Sequence, residues 1–433
     1  MKIAIAGYGL EGEENYKYWA AQGGHDITIV DESLTPSRTL PEGVPTMLGP
    51  GVFEKLDGFD LVIRTAGLAP YKIKTDGKIW SATNEFFEKS PAKIIGVTGT
   101  KGKGTMSSLT AAIFEAAGKK VWLVGNIGIS AIKVLDQIGS EDVVVFELSS
   151  FQLWDLERSP QTAIVGLIEP DHLNVHTSME DYVNAKAHIR MHQTENDICI
   201  YHPTNHYSHQ IAMSATEGKI ERYGIPDDGG VYERDGEFLQ NGEVICPKSL
   251  LQLIGEHNVE NACAALSVAR AHGLSIDAIE DGLRNFKGLP HRLEYVRKFN
   301  EVDYYNDSFS SAPPAAVAAI KSFTQPEIVI VGGVDKSNDF SILIDTIKHK
   351  TNIKEVVLIG EIRTKLAQQF VTAGVASKVT VLDAQTMDEI VRYSVSVAHP
   401  GDVVVLSPGT SSYDMFKDFY DRGDQFRNVV NKL

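Results

Sequence analysis

The sequence predicts an α/β protein made of three open-sheet domains. Three stretches each begin with a short β-rich run that passes into helix-like sequence. Apolar runs then alternate with helical segments, the pattern of a parallel sheet covered by helices on both faces. The chain has 433 residues, and at ~150 residues per domain that length suits about three domains.

The first unit is "KIAIAGYGLEGEENYKYWAAQGGHDITIVDES". It reads as strand, glycine turn, helix and a second strand ending at Asp31. The turn is spaced Gly7-x-Gly9-x-x-Gly12, and Asp31 follows where an acid that binds a ribose sits in a Rossmann-like domain. A tight turn in any parallel sheet has the same look, so the motif alone is weak. The second unit starts at "AKIIGVTGTKGKG" and continues through "KKVWLVGN", "DVVVFELSS" and "QTAIVGLIEP". Near Val231 the texture changes. Asp235-Gly236 and Asn241-Gly242 separate short strands, which predicts antiparallel hairpins appended to a central domain of phosphate-loop ATPase type. The third unit holds "PEIVIVGGVDK", "KEVVLIGE", "KVTVLD" and "DVVVLSPGTSS", four strands of another Rossmann-like α/β domain. Boundaries are expected near Ser90 and Lys287, giving domains 1–90, 91–287 and 288–433.

Composition narrows the function. Apolar residues make up 43% and charged residues 23%, enough for each domain to bury a core. A net charge of −16 argues against a nucleic-acid partner, which needs a basic face. The start "MKIAIAGYGL" lacks a signal-peptide cleavage pattern, and no apolar run is long enough for a bilayer, so membrane insertion is not expected. Cys199, Cys246 and Cys263 are few and far apart, which fits the reducing cytoplasm.

The stretch "GVTGTKGKGTMSS" from Gly96 is nearly a phosphate-binding loop. It follows an apolar strand and precedes a helical run, so backbone N–H groups and a helix N-terminus would face an anion, with Lys103 reaching the terminal phosphates. Such a loop places Ser or Thr after the lysine as a metal ligand. Here Gly104 stands there. Glu147, at the end of the strand in "FELSSFQL", is placed to hold Mg²⁺ at the ligand-binding edge of the sheet. Seven of the thirteen histidines fall between His172 and His209. The pairs His172/His176, His188/His192 and His202/His206 are spaced to share a helix face. No third ligand is fixed by the spacing, so zinc is not expected.

These motifs carry a family resemblance. "GVTGTKGKGT", "GNIG" (Gly125–Gly128), "ELSSFQL" (Glu147–Leu153), "DHLNVH" (Asp171–His176), "YVNAKAHI" (Tyr182–Ile189), "GEHNVENACAA" (Gly255–Ala265) and "GLPHRLE" (Gly288–Glu294) resemble, in order, the ATP-dependent Mur ligases of cell-wall synthesis. "NDS" at Asn306–Ser308 and "LSPGTSSYDMFKDFYDRGDQF" at Leu406–Phe426 are most similar to the branch that adds D-glutamate. The likeness covers nearly the whole chain and is weakest before residue 90.

The resemblance implies an ATP- and Mg²⁺-dependent ligase that adds D-glutamate to UDP-N-acetylmuramoyl-L-alanine through an acyl phosphate. The three domains would bind the UDP-sugar, ATP and the amino acid in that order. It also implies that Gly99, Thr100, Gly102, Lys103 and Thr105 cradle phosphates. Asn258 would touch adenine, and Arg292 and Asp307 would meet the nucleotide. Glu147, His172 and Lys186 would serve metals, Lys186 as a carbamate. Gly9, Leu10, Asp31, Gly67, Asn126 and Ser149 would contact the sugar nucleotide, and Lys336, Ser412 and Phe419 would hold D-glutamate. A monomer is expected. The departures are Gly104, Lys101 in place of asparagine, Phe309 in place of lysine, and Ser311 in place of threonine. Two alternatives stay open at this stage. One is a related ligase of folylpolyglutamate-synthase type with another amino acid. The other is a nucleotide-binding regulator without turnover.

Overall fold

A computed structural model describes residues 1–226 and 228–433. The chain forms two compact units, one of Met1–Leu251 with His257–Phe286, the other of Gln252–Glu256 with Lys287–Leu433.

The first unit contains two parallel sheets. One has the order β3-β2-β1-β4-β5, with β1 Lys2–Ala6, β2 Asp26–Asp31, β3 Thr46–Leu48, β4 Leu61–Arg64 and β5 Lys78–Ser81. β1 is paired with β2 (Ile3 with Ile27) and with β4 (Ile3 with Leu61), both in parallel. Alternate β1 side chains enter opposite cores: Ala4 and Ala6 pack with Val30 and Val62, while Ile3 and Ile5 pack with Ile29 and Trp19. That split follows from the two-residue period of a strand.

The other sheet has the order β11-β10-β9-β6-β8-β7. Its strands are β6 Lys93–Thr98, β7 Val121–Gly125, β8 Val143–Glu147, β9 Thr162–Val165, β10 Ile198–Tyr201 and β11 Lys219–Arg222. Helix α1 (Leu10–Gln22) follows β1, α2 (Ala82–Lys89) follows β5, and α3 (Lys103–Ala116) follows β6. Phe86 and Phe87 of α2 sit in the core of the second sheet, both against Phe146 with ring centroids 5.4 and 5.6 Å apart. Burying two such rings contributes about 3–6 kcal/mol, which accounts for the two sheets forming one unit. The predicted hairpins are present as a meander of β12 Tyr232–Arg234, β13 Glu237–Gln240 and β14 Glu243–Pro247. Both turn pairs, Asp235-Gly236 and Asn241-Gly242, have positive φ.

The second unit holds a sheet of order β15-β16-β20-β17-β18-β19. The four strands read from sequence are β17 Glu327–Gly332, β18 Ile353–Ile359, β19 Val379–Val381 and β20 Val403–Leu406. Two more were not anticipated: β15 Glu294–Phe299 and β16 Val302–Asn306 form an antiparallel hairpin on the sheet edge. Its turn residues Asn300 and Glu301 take φ of 50° and 59°, a left-handed turn without the glycine that normally signals one. None of the helices among the described residues is long and apolar enough to cross a membrane.

Candidate active site

Strands β6, β8 and β7 end level with one another, Val97 beside Glu147 and Glu147 beside Gly125. This gathers at one sheet edge the turn after β6, the carboxylate ending β8 and the Asn126 turn after β7. Five residues separate Gly96 from Gly102, one more than the phosphate-loop pattern, and Gly96 lies inside β6. The turn between β6 and α3 is therefore Gly99–Gly102. Gly102 caps α3 with φ 79°, and a Cβ there would lie 2.4 Å from Asn261 Oδ1. Asn261 itself donates to Asn258 Oδ1 at 3.2 Å, so the residue expected at adenine is tied to the turn by a neighbour that sequence reading missed.

Helix α3 has no acidic residue in its first turn and no side-chain cap. Its N-terminal partial positive charge, ~+0.5 of an elementary charge, is thus left for an outside anion. Lys103 Nζ donates back to the carbonyls of Gly99 (3.0 Å) and Thr100 (3.2 Å). Thr100 Oγ1 exchanges hydrogen bonds with the backbone of Glu169 and lies 2.9 Å from the Tyr182 hydroxyl. Lys101, the extra cation of the loop, is exposed and paired with Glu169 at 2.7 Å. Gly104 and Thr105 are helical residues in the first turn of α3, so Gly104 needs no left-handed backbone.

Lys186 is on α6 (Met179–Met191), after the short helices α4 (Ala131–Val134) and α5 (Ser150–Leu153). It is 1% exposed and donates to Thr98 Oγ1 and the Gly99 carbonyl, both at 3.1 Å. The Tyr182 ring lies 4.8 Å from its ammonium. Burial, reinforced by Lys103, pushes the amine well below its ordinary pKa, against the opposing pull of Asp171 and Glu147. A buried cation without a carboxylate partner is costly, and losing the proton relieves that cost. Glu147 is buried and accepts a hydrogen bond from Asn126 Nδ2 at 3.0 Å. Ser149 caps α5 and exchanges capping-box hydrogen bonds with Gln152.

A spacing of four pairs histidines only where the chain is helical, and most of these pairs do not lie on one helix. His172 has φ 54° and lies with His176 in a turn rather than on a helix. His202 follows a strand and His206 begins a short helix. His188 and His192 do lie together, with ring centroids 5.6 Å apart. His172 is half exposed beside Asp171 and 4.9 Å from the Phe151 ring, whereas His176 is buried and stacks on Phe151. Among the described residues, no group of three or more His, Cys, Asp or Glu side chains could hold a metal. Mg²⁺ usually takes one or two carboxylates and completes its shell with phosphate oxygens and water, a pattern that a single strand-end carboxylate such as Glu147 is compatible with.

At the edge of the first sheet, Gly9 caps α1 and Leu10 is its exposed first residue. Asp31 accepts the amides of Tyr8 (2.6 Å) and Ser33 (2.8 Å), bracing the glycine turn. A Cβ on Gly12 would lie 2.0 Å from the Gly7 carbonyl oxygen, so that glycine is set by close packing of helix on turn. Gly67 has nothing within 4 Å of its Cβ position.

In the second unit Asp307 is buried at the end of β16. It accepts hydrogen bonds from Ser310 Oγ, Ser407 Oγ (2.7 Å) and Leu293 N (3.1 Å). Burial nevertheless raises its carboxyl to about 6. The Arg292 guanidinium lies 3.8 Å over the Phe309 ring, and Phe309 meets Phe419 edge-on with centroids 5.1 Å apart. Lys336, in the segment after β17, lies 5.7 Å from the Tyr413 ring. Ser412 is buried next to Ser411, whose hydroxyl has no hydrogen-bond partner among the described residues.

Comparison with known proteins adds the family. The family described as "Mur ligase middle domain" matches residues 97–269, and "Mur ligase, glutamate ligase domain" matches residues 291–409. A Clostridium tetani protein named UDP-N-acetylmuramoylalanine--D-glutamate ligase is 34% identical, covering 100% of this chain and 97% of that one. One of the same name from Acetivibrio thermocellus is 35% identical, covering 100% and 96%. Among solved structures, a MurF ligase from Thermotoga maritima in complex with ADP aligns with a TM-score of 0.60 at 16% identity, covering 99% of this chain and 95% of that one. UDP-N-acetylmuramate-alanine ligase MurC from the same organism aligns at 0.61 and 17%, covering 100% and 99%. These structural likenesses speak for the fold. The full-length identity, with both family matches in order along it, makes this chain a member of the Mur ligase family.

Proposed function

We propose that the chain uses ATP to join D-glutamate to UDP-N-acetylmuramoyl-L-alanine, a step of peptidoglycan precursor synthesis. The observation that carries this is the full-length identity to ligases of that name, together with a phosphate turn, Lys103 and a buried lysine at one sheet edge. A carboxylate is a poor electrophile because oxide would have to leave. Transfer of a phosphoryl group from ATP turns it into an acyl phosphate, which the amine of D-glutamate attacks, releasing phosphate. Such chemistry depends on positioning and charge neutralisation more than on a protein nucleophile.

In this reading residues 1–90 bind the sugar nucleotide through Gly9, Leu10, Asp31 and Gly67, helped by Asn126 and Ser149. Residues 91–287 bind ATP through Gly99–Gly102, Lys103, Thr105 and Asn258. Residues 288–433 contribute Arg292 and Asp307 to the nucleotide and Lys336, Ser412 and Phe419 to D-glutamate. Mg²⁺ would be held by Glu147, with His172 and a modified Lys186 serving a second ion, and it would offset charge on the transferring phosphoryl group. Lys186 is carbamylated: its depressed pKa supplies a neutral amine able to add CO₂, and the carbamate replaces a repelling cation with an oxygen ligand. The enzyme works as a monomer in the cytoplasm.

The test is phosphate release with ATP, UDP-N-acetylmuramoyl-L-alanine and D-glutamate, with each omitted in turn. Dependence on all three is expected. Release without D-glutamate, or with a different amino acid in its place, would redirect the assignment. For Lys186, labelled bicarbonate should give a carbamate signal in the folded enzyme. Lys186→Ala should lose most activity and regain part of it in acetate. Full activity in that variant would remove the carbamate from the mechanism.

A further inference from the structure

Arg64 ends β4, directly beside the end of β1, at the point where the strand order of the first sheet reverses. Ligands of open α/β sheets settle in the crevice at such a point. Arg64 is 0% exposed, and a charged side chain is buried at a cost unless it is paired and hydrogen-bonded. Its Nε donates to Asp155 Oδ2 at 2.7 Å and its Nη2 to Asp155 Oδ1, a two-pronged pair. Nη2 also donates to the Phe151 carbonyl at 3.0 Å. Nη1 faces the carbonyls of Thr65, Ala66 and Leu68 at 3.3, 3.4 and 3.3 Å. From the other side, Glu11 Oε2 accepts the Ala66 amide at 2.9 Å. Three carbonyls and one amide of a four-residue turn are thus fixed by side chains, and Gly67 at its centre is left open.

We propose that Arg64 is a positioning residue for the sugar nucleotide. It holds the 65–68 turn in the shape that receives the ligand, and Asp155 and Glu11 hold Arg64 and the turn in place. The same guanidinium reaches Phe151 and Asp155, in and just after α5, in the segment that begins at Glu147. It therefore fixes the sugar-nucleotide turn relative to the edge where phosphoryl transfer is proposed. A planar guanidinium with several donors in a fixed fork suits this task, and an ammonium does not. The inference rests on the reading that Gly9 and Gly67 meet the sugar nucleotide.

The experiment measures KM for each of the three substrates, kcat and melting temperature in wild type, Arg64→Lys, Glu11→Ala and Glu11→Gln. Arg64→Lys keeps the charge opposite Asp155 but cannot span three carbonyls. It should raise KM for UDP-N-acetylmuramoyl-L-alanine about tenfold, as a small misplacement of a binding group does, while KM for ATP and D-glutamate stays within about twofold. Both Glu11 variants are neutral, so their difference isolates the acceptor: KM for the sugar nucleotide should be higher in Glu11→Ala than in Glu11→Gln. Should Arg64→Lys fail to fold, the Glu11 pair decides. An unmoved sugar-nucleotide KM in folded Arg64→Lys, an equal rise in all three constants, or identical Glu11 variants would overturn the inference alone. Wild-type enzyme that does not turn over UDP-N-acetylmuramoyl-L-alanine would overturn the functional reading and this inference with it.

Discussion

Helices α1 and α3 both follow a central parallel strand and a glycine turn, but their first turns are opposite in charge. α1 carries Glu11 and Glu13 there; α3 carries Lys103 and no acid. In the first turn, the amide of Tyr8 is already taken by Asp31. The Glu11 carboxylate is partly buried, pushed above its ordinary pKa by desolvation, and spent on the Ala66 amide. The protein itself supplies much of the negative charge that the N-terminus of α1 attracts. Neither helix has a side-chain cap, but α3 also lacks a first-turn acid, so the field of its end is available to a phosphate. A glycine pattern specifies the shape of the backbone; the residues of the first helical turn specify where the anion comes from. That explains why a glycine spacing such as Gly7-x-Gly9-x-x-Gly12 is by itself a weak predictor of a ligand.

The contrast can be broken at its strongest point by Lys103→Ala. Loss of the one first-turn cation should lower the rate of ATP-dependent phosphate release by about 10²–10³-fold, the scale on which a single preorganised donor acts in a closed site. A loss of only a few-fold would mean that the open helix end does not govern the chemistry. A smaller effect is expected from moving an acid into α3. Thr105→Glu gives that helix the first-turn charge of α1 and should weaken ADP binding, read by calorimetry, by about tenfold or more. Unchanged ADP affinity in a folded variant would show that the helix N-terminus is not the phosphate site. The smallest effect belongs to Gly104→Ser. Gly104 is helical, so serine enters without backbone strain, and Lys101 is engaged with Glu169. The Mg²⁺ concentration for half-maximal rate should fall modestly, because a hydroxyl that replaces an ordered water recovers at most ~2 kcal/mol. If the requirement does not fall while ADP still binds, the missing hydroxyl is not a metal ligand in this loop.

Legibility in the sequence followed the range of the interaction. Strands buried on both faces, such as "VVVFE" and "EIVIVG", read as unbroken apolar runs and were found. The meander was found because Asp-Gly and Asn-Gly pairs announce left-handed turns. The β15–β16 hairpin was missed because it is an edge element with mixed polarity, turned by Asn300 and Glu301 without glycine. Lys103, Glu147 and Lys186 stood out because each belongs to a contiguous motif beside a strand or helix end. Arg64 and Asp155 did not, being 91 positions apart and meeting only when two sheets are joined. Spacing of four suggested shared helix faces for three histidine pairs, but the positive φ of His172 shows how one backbone angle removes such a pair from a helix.

The stack of Arg292 on Phe309 bears on what binding costs. A free arginine side chain carries ~2 kcal/mol of rotamer entropy, which an anion normally has to overcome on arrival. Here the ring of Phe309, backed by Phe419, already restrains the guanidinium in the folded protein. That entropy is lost during folding, where it is offset by the cation–π contact, and a guanidinium held in this way would meet an anion preorganised. A lysine at position 309 would place a like charge beside the guanidinium and undo the arrangement.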